Sequence, residues 1–264
     1  MTIETILGIG AGVRAAPGNL LPGNGNSFTL RVQDNSKKIY LLDVISNIKV
    51  ASDFEIRSPR MHDNVMNFRM DLNNVTNCLS HLRGIKQPLI SQDNLQFVGG
   101  IGGGAATFDL VAASIFYSDL TGSPGNLYNW DSIKDSIKNV LTIPITSAAS
   151  AAGDWSAGVA LNSMFDLLKA NTFYAVLGVD NDSANGIIGI SGQFTGNVRI
   201  GVPISSDNIT NSYSYLVDIS KMSSLATIPV FDSADKSGIM VYFANSATGT
   251  CLCDVVVAEL EGSF

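Results

Sequence analysis

The sequence is short of charged side chains. Asp, Glu, Lys and Arg together make up 15% of its 264 residues, whereas they form about a quarter of an average soluble domain. The 23 acidic residues outnumber the 16 basic residues, so the formal net charge is −7. A protein that neutralises phosphates needs the opposite sign, which excludes direct nucleic-acid binding through a basic surface or arm. The small supply of charge instead indicates surface that is buried against other subunits.

Histidine and cysteine are also scarce. His62 and His81 are the only histidines, too few for a multi-histidine metal site, and neither lies beside the GxSxG motif of a serine nucleophile. The three cysteines imply no disulfide framework. Cys251 and Cys253 are predicted to be small side chains on one face of a strand. We therefore predict no catalytic residues, no cofactor-binding residues and no metal ligands.

Long apolar runs are missing as well. No window of about 18 uncharged apolar residues occurs, so we predict no transmembrane segment. The first ten residues, MTIETILGIG, carry no positive charge before their apolar stretch, which argues against a signal peptide. The expectation is a soluble protein that is synthesised in a cytoplasm.

The sequence does contain a succession of short segments with the composition of β-strands. Clusters of Gly, Asn, Ser, Asp and Pro separate them at intervals of about 8 to 12 residues, which is typical of an all-β sandwich or barrel. The clearest segments are SFTLRV, KIYLLDVI, FEIRS, NLQFVGG, NTFYAVLGV, NGIIGISG, NVRIGVP, IMVYFA and LCDVVVAEL.

Few segments have helical periodicity. The clearest covers residues 130–141, where isoleucine or leucine recurs at every fourth position behind Asn129, a suitable N-cap. Weaker candidates are residues 76–82 and 220–225. Helices are therefore predicted only as short insertions.

The two halves of the sequence resemble each other. The residues Ile56, Pro59, Asp63, Asn64, Val65 and Asn67 recur in the same order and spacing as Ile200, Pro203, Asp207, Asn208, Ile209 and Asn211. A proline-containing strand and a final strand follow in each half, and a cluster of chain-breaking residues, 121–126, lies between the halves. We predict a duplicated domain, with the first copy over residues 1–122 and a linker helix plus the second copy over residues 123–264.

The segment 8–26 contains two prolines and six glycines, so it is predicted to be an extended N-terminal arm. An arm of this kind is long enough to reach beneath a neighbouring subunit. The alternative is a terminus that is disordered or that merely wraps onto its own domain.

Eight short strands per copy, with a helical segment late in the order, favour a jelly roll over an immunoglobulin-like sandwich. The predicted fold is all-β, two tandem eight-stranded jelly rolls with short helical insertions. In length, duplication, helical insertion and low-charge composition the chain resembles the double jelly-roll major capsid proteins of tailless icosahedral viruses, bacteriophages among them.

That resemblance implies a structural protein without enzymatic activity, located in the virion. Its homotrimers would have a pseudo-hexagonal outline and would tile an icosahedral shell. The implied partners are other copies of the chain, neighbouring capsomers, minor capsid proteins and an internal membrane. The alternatives are a tandem jelly-roll glycan-binding protein and a carbohydrate-active hydrolase, because carboxylates are abundant enough to supply a catalytic pair.

Two segments resemble ligand-binding motifs but lack residues that those motifs require. Residues 8–12 imitate a dinucleotide-binding glycine motif, but prolines follow where that motif requires a helix. Residues 180–186 are rich in Asp and Asn, yet Ala184 stands at a ligand position of a calcium loop and no Glu stands at the twelfth position. The segment is predicted to be a turn, and the alternative is a weak calcium site between subunits.

Overall fold

The computed structural model describes the strands given below within residues 2–117, and residues 126–151, 154–161, 167–180, 185–204, 212–245 and 248–264. These residues form mostly antiparallel β-sheet with few short helices, which confirms the predicted all-β class. No helix in these ranges is long and apolar enough to cross a membrane.

The first half of the chain contributes two sheets. Its strands are β1 Thr2–Gly8, β2 Val13–Arg14, β3 Ser27–Leu30, β4 Ile39–Ile48, β5 Ser52–Arg57, β6 Phe68–Leu72, β7 Val75–Ser80, β8 Leu89–Ser91, β9 Leu95–Gly99 and β10 Ala106–Tyr117. One sheet has the order β1-β10-β4-β7, with β2 paired to β10 and β8 paired to β4. The other has the order β3-β9-β5-β6.

The second half also contributes two sheets. Its strands are β11 Leu127–Tyr128, β12 Ile137–Thr146, β13 Val159–Ala160, β14 Phe173–Asp180, β15 Gly186–Ser191, β16 Ile200–Ile204, β17 Ile228–Asp232, β18 Met240–Ala244 and β19 Leu252–Leu260. The helices are α1 Trp130–Ile133 and α2 Tyr215–Ser223, with 3₁₀ turns at Lys134–Ser136, Gln193–Thr195, Ser212–Ser214 and Ser233–Gly238. The sheet orders are β11-β17-β14-β19-β12 and β13-β18-β15-β16.

The same strand order occurs in both halves. We number eight principal strands in each half in chain order, leaving out β2, β8 and β11. The first then pairs with the eighth, the second with the seventh, the third with the sixth and the fourth with the fifth. The eighth also pairs with the third, and the seventh with the fourth. Each half is therefore a long antiparallel hairpin that is rolled until its two edges meet.

Every described sheet takes its strands from one side of the segment 118–125. The domain boundary at residue 122 falls in that segment, outside the described residues, and stays a prediction.

Of the matched residues that suggested a duplication, Ile56 lies in the fourth principal strand of its half, β5, whereas Ile200 and Pro203 lie in the fifth, β16. These matched positions therefore do not fall on equivalent strands, and the two halves are alike in strand order rather than at these residues. The loops that follow them lie outside the described residues, as does most of the predicted arm. Within that arm, Val13–Arg14 pairs with β10.

The predicted helix over residues 130–141 is wrong over most of its length. Asn129 does cap α1, because its side chain accepts a hydrogen bond from the backbone N–H of Ser132 at 2.8 Å. However, α1 ends at Ile133, and β12 begins after one 3₁₀ turn. Ile143 and Ile145 are buried at alternate positions in that strand. A strand period of two, together with cross-strand pairing to β19, therefore overrides the spacing of four.

The two weaker helix predictions have different outcomes. Residues 76–80 are strand rather than helix, because β7 Val75–Ser80 pairs there with β4. A helix does cover part of residues 220–225, but it starts earlier, at Tyr215, and stops at Ser223. Ser224 ends it in the left-handed conformation at φ 56°. The sequence did not predict the start of α2, because the aromatic and β-branched residues there are typical of strands.

The central strands of both second-half sheets are buried on both faces. All residues of β15 and β16 are buried, as are the six central residues of β14 and the last six of β19. The 3₁₀ turn Ser212–Ser214 and α2 cover β14. Strand β7 of the first half contacts β15 and β16, and β1 contacts β16. The near-continuous apolar sequences of these strands are what burial on both faces requires.

One buried hydrogen bond links the halves across 172 positions of sequence. The Tyr215 hydroxyl at the start of α2 donates to Oδ2 of Asp43 in β4 at 2.8 Å, and both residues are buried. The bond therefore ties the helix that covers β14 to a strand of the first half.

Strand β12 lies at the end of its sheet order. Its register with β19 is interrupted between Ile137 and Asn139, so Lys138 is bulged out of the ladder. Pro144 interrupts its row of donors further along the strand, and Val140 is 58% exposed. Its place at the end of the sheet, its bulge at Lys138 and its proline are all typical of an edge strand.

The close approach of the 3₁₀ turn to β14 predicts the effect of one substitution. A Cβ at Gly178 would overlap the carbonyl oxygen of Ser212 and lie 2.7 Å from that of Tyr213. We expect Gly178→Ala to lower the free energy of unfolding by about 1–3 kcal/mol, measured by urea denaturation. Gly249→Ala is the control, because a Cβ there meets nothing within 4 Å, and its effect should stay within about 0.5 kcal/mol. Equal effects of the two substitutions would contradict this packing.

Candidate interaction surfaces

The residues that the sequence analysis singled out do not form a catalytic centre among the described residues. Cys251 and Cys253 are buried thiols on either side of the exposed Leu252 in sequence, an alternation that fits their predicted placement on one face of a strand. A hydrogen bond to Cys251 and burial both raise the pKa of Cys253. Thiols in that state are poor nucleophiles and poor metal ligands at neutral pH.

Several predictions concern residues outside the described ranges. His62, His81 and residues 181–184 of the predicted turn lie there. Within the described ranges, no group of three or more His, Cys, Asp or Glu side chains is placed to hold a metal ion.

A buried carboxylate anchors the edge strand. Glu259 of β19 accepts hydrogen bonds from Lys169 Nζ at 2.8 Å to each oxygen and from Asn139 Nδ2 of β12 at 2.9 Å. The Glu259 side chain is 8% exposed, and that of Lys169 is 61% exposed. The hydrogen bonds from Lys169 and Asn139 hold the pKa of Glu259 below its usual range, in spite of burial. The cluster joins β12 and the segment before β14 to the central strand β19.

An arginine lies on two aromatic rings that belong to the sheet β13-β18-β15-β16 and the segment before it. The Arg199 guanidinium carbon is 4.5 Å from the ring centre of Tyr242 and 5.8 Å from that of Trp155. The two rings meet edge to face, with their centres 6.4 Å apart. We call Trp155, Tyr242 and Arg199 the arginine platform.

Local sequence explains how the platform is built. Trp155 lies just before β13, Tyr242 is in β18 and Arg199 directly precedes β16, so three neighbouring parts of one sheet supply it. Gly189 of β15 lies under the indole, where a Cβ would be 2.7 Å from the ring. Glycine at that position lets the tryptophan lie flat across the strand.

A cavity of about 450 Å³ is lined entirely by residues of the second half. Three aromatic rings, those of Phe173, Phe194 and Phe231, line it together with the carboxylates of Asp232 and Asp235. Asp232 is occupied as the N-cap of the 3₁₀ turn, since its Oδ1 accepts from the N–H of Ala234 at 2.9 Å. Asp235 is exposed, and it supplies the accessible carboxylate of this acid-rimmed cavity.

Sequence reasoning predicted none of these three clusters. The Lys169–Glu259 pair joins residues 90 positions apart, and the platform joins residues from three separated segments. The sequence held one indication of the arginine platform, because Arg199 is the single arginine after residue 122.

No protein-family model and no curated protein matches the chain. Among solved structures, one similar chain is described as "PBSX exported protein XepA". It has 10% identity over 96% of this chain and 86% of that chain, with a TM-score of 0.22. Another belongs to the "Sulfolobus Turreted Icosahedral Virus", with 9% identity over 98% and 91% of the two chains and a TM-score of 0.20. TM-scores at this level establish neither fold nor function.

The environment of Glu259 predicts a pH-dependent contribution to stability. Because its folded-state pKa is lowered from 4.5, the ionised group stabilises the fold above that value, and the contribution is lost as pH falls through the folded pKa. We expect Glu259→Gln to reduce the free energy of unfolding at about pH 7, with a difference from wild type that shrinks below about pH 4.5.

The control is Asp131→Asn in the exposed Lys134–Asp131 pair, where the aspartate is 82% exposed. That substitution should change stability little at any pH. Denaturant unfolding from about pH 3 to pH 8 measures both variants. A Glu259→Gln difference that does not depend on pH would contradict the assigned role of the charge.

Proposed function

We propose that the chain is a double jelly-roll shell protein, a structural component of a viral capsid. The observation that carries the proposal is the strand order that the two halves share. A hairpin of eight strands, rolled so that the first pairs with the eighth and the eighth with the third, is the topology of a jelly roll. Jelly rolls occur in viral capsid proteins, lectins and cupins.

Three properties support the capsid role over the other two. The chain has two histidines, fewer than a cupin metal site uses. Its charged fraction of 15% is suited to a protein that buries much of its surface against copies of itself. The length of the chain, its two halves of like strand order and the helix α2 before the last strands of the second half resemble double jelly-roll major capsid proteins, which supports the same role.

The proposal includes assembly as a homotrimer. Three copies contribute six jelly rolls, which give the capsomer a pseudo-hexagonal outline and let it tile an icosahedral shell. The chain acts through binding to itself and to neighbouring capsomers, with minor capsid proteins and an internal membrane as further partners. We propose neither an enzymatic activity nor a cofactor.

Light scattering after size exclusion tests the assembly state. We expect a molar mass of about 84 kDa, three times the chain mass of 27.9 kDa. Negative-stain images of that fraction should show particles with six-fold-like outlines. A monomer at 27.9 kDa at every protein concentration would contradict the proposal and would favour the glycan-binding alternative, which a glycan array then tests.

A further inference from the structure

The arginine platform has the properties of a contact surface for another protein. Arg199 is exposed, yet its guanidinium is stacked on Tyr242 and Trp155. No carboxylate in the described part of the chain forms an ion pair with it, whereas Lys134 and Lys169 each have one. The platform therefore presents a fixed cation to solvent.

Arginine, tryptophan and tyrosine are the side chains that contribute most to binding energy at protein interfaces. Stacking on the rings fixes the position of the guanidinium, so little side-chain freedom is lost when a partner binds. A guanidinium also binds a carboxylate through two parallel hydrogen bonds. The chemistry of the platform fits a partner that offers an exposed carboxylate beside apolar surface.

The acid-rimmed cavity of this chain offers that combination. Its wall is aromatic, and Asp235 carries an exposed carboxylate at its rim. Each copy has a formal net charge of −7, so net repulsion opposes contact between copies, and a cation of one that meets an anion of the other offsets part of that repulsion at the interface. The platform and the cavity supply such a pair.

We propose that Arg199 of one copy binds Asp235 at the acid-rimmed cavity of a second copy. Two different surfaces meet in this contact, so it is heterologous, and it generates a closed ring when the rotation between copies is one third of a turn. The inference rests on the homotrimer of the proposed function and names the residues that hold it together.

Charge reversal and its reciprocal rescue test the contact. Arg199→Glu and Asp235→Lys, each alone, should shift the molar mass from about 84 kDa toward 27.9 kDa at protein concentrations where the wild type is trimeric. The double variant Arg199→Glu/Asp235→Lys restores the pair with opposite polarity in every copy and should recover the trimer.

Lys138→Glu is the matched control, since it makes the same change in net charge at an exposed position of β12. It should leave the mass unchanged. Circular dichroism and thermal unfolding verify that each variant is folded.

The outcomes separate this inference from the proposed function. A trimeric wild type whose Arg199→Glu variant is also trimeric overturns the contact and leaves the shell role standing. Dissociation of Arg199→Glu without rescue by the double variant shows that Arg199 meets a group other than Asp235, which also overturns it. A monomeric wild type overturns both proposals.

Discussion

A sheet that is buried on both faces cannot alternate apolar with polar residues, because neither set of its side chains meets water. Strands β14, β15, β16 and β19 obey this constraint, and most of the second half follows from it. Their outer faces need covers: α2 with the preceding 3₁₀ turn over β14, and strands of the first half over β15 and β16. The buried hydrogen bond from Tyr215 to Asp43 joins α2 to the first-half sheet that contains β1 and β7. The contact between the halves and the covering of the second-half sheets therefore depend on each other.

The same constraint determines where polar groups are tolerated. Glu259 lies in a buried strand and is accepted there because Lys169 and Asn139 satisfy both of its oxygens. Arg199 lies at the end of a buried strand, where its aliphatic stem and guanidinium cover aromatic surface while the charge reaches solvent.

Strand locations could be predicted from sequence, since the nine segments chosen for β-branched and aromatic content all contain strands. The segment after Asn129 could not, because Ile133 and Ile137 fit a helical spacing as well as a strand spacing, and pairing with β19 decides between them. The start of α2 was missed because Tyr215 and Val217 are residues typical of strands. The Arg199 and Glu259 clusters depend on which strands become neighbours, and local sequence does not contain that information.

The edge strand β12 bears on how copies of such a protein can associate at high local concentration. An open sheet edge invites addition of further strands without limit, as in fibrils, and that route competes with ordered assembly. Here the bulge at Lys138 and the missing donor of Pro144 interrupt any long backbone ladder along the edge. Growth by strand addition along this edge is thereby discouraged, so a contact between two copies at β12 is limited to side chains.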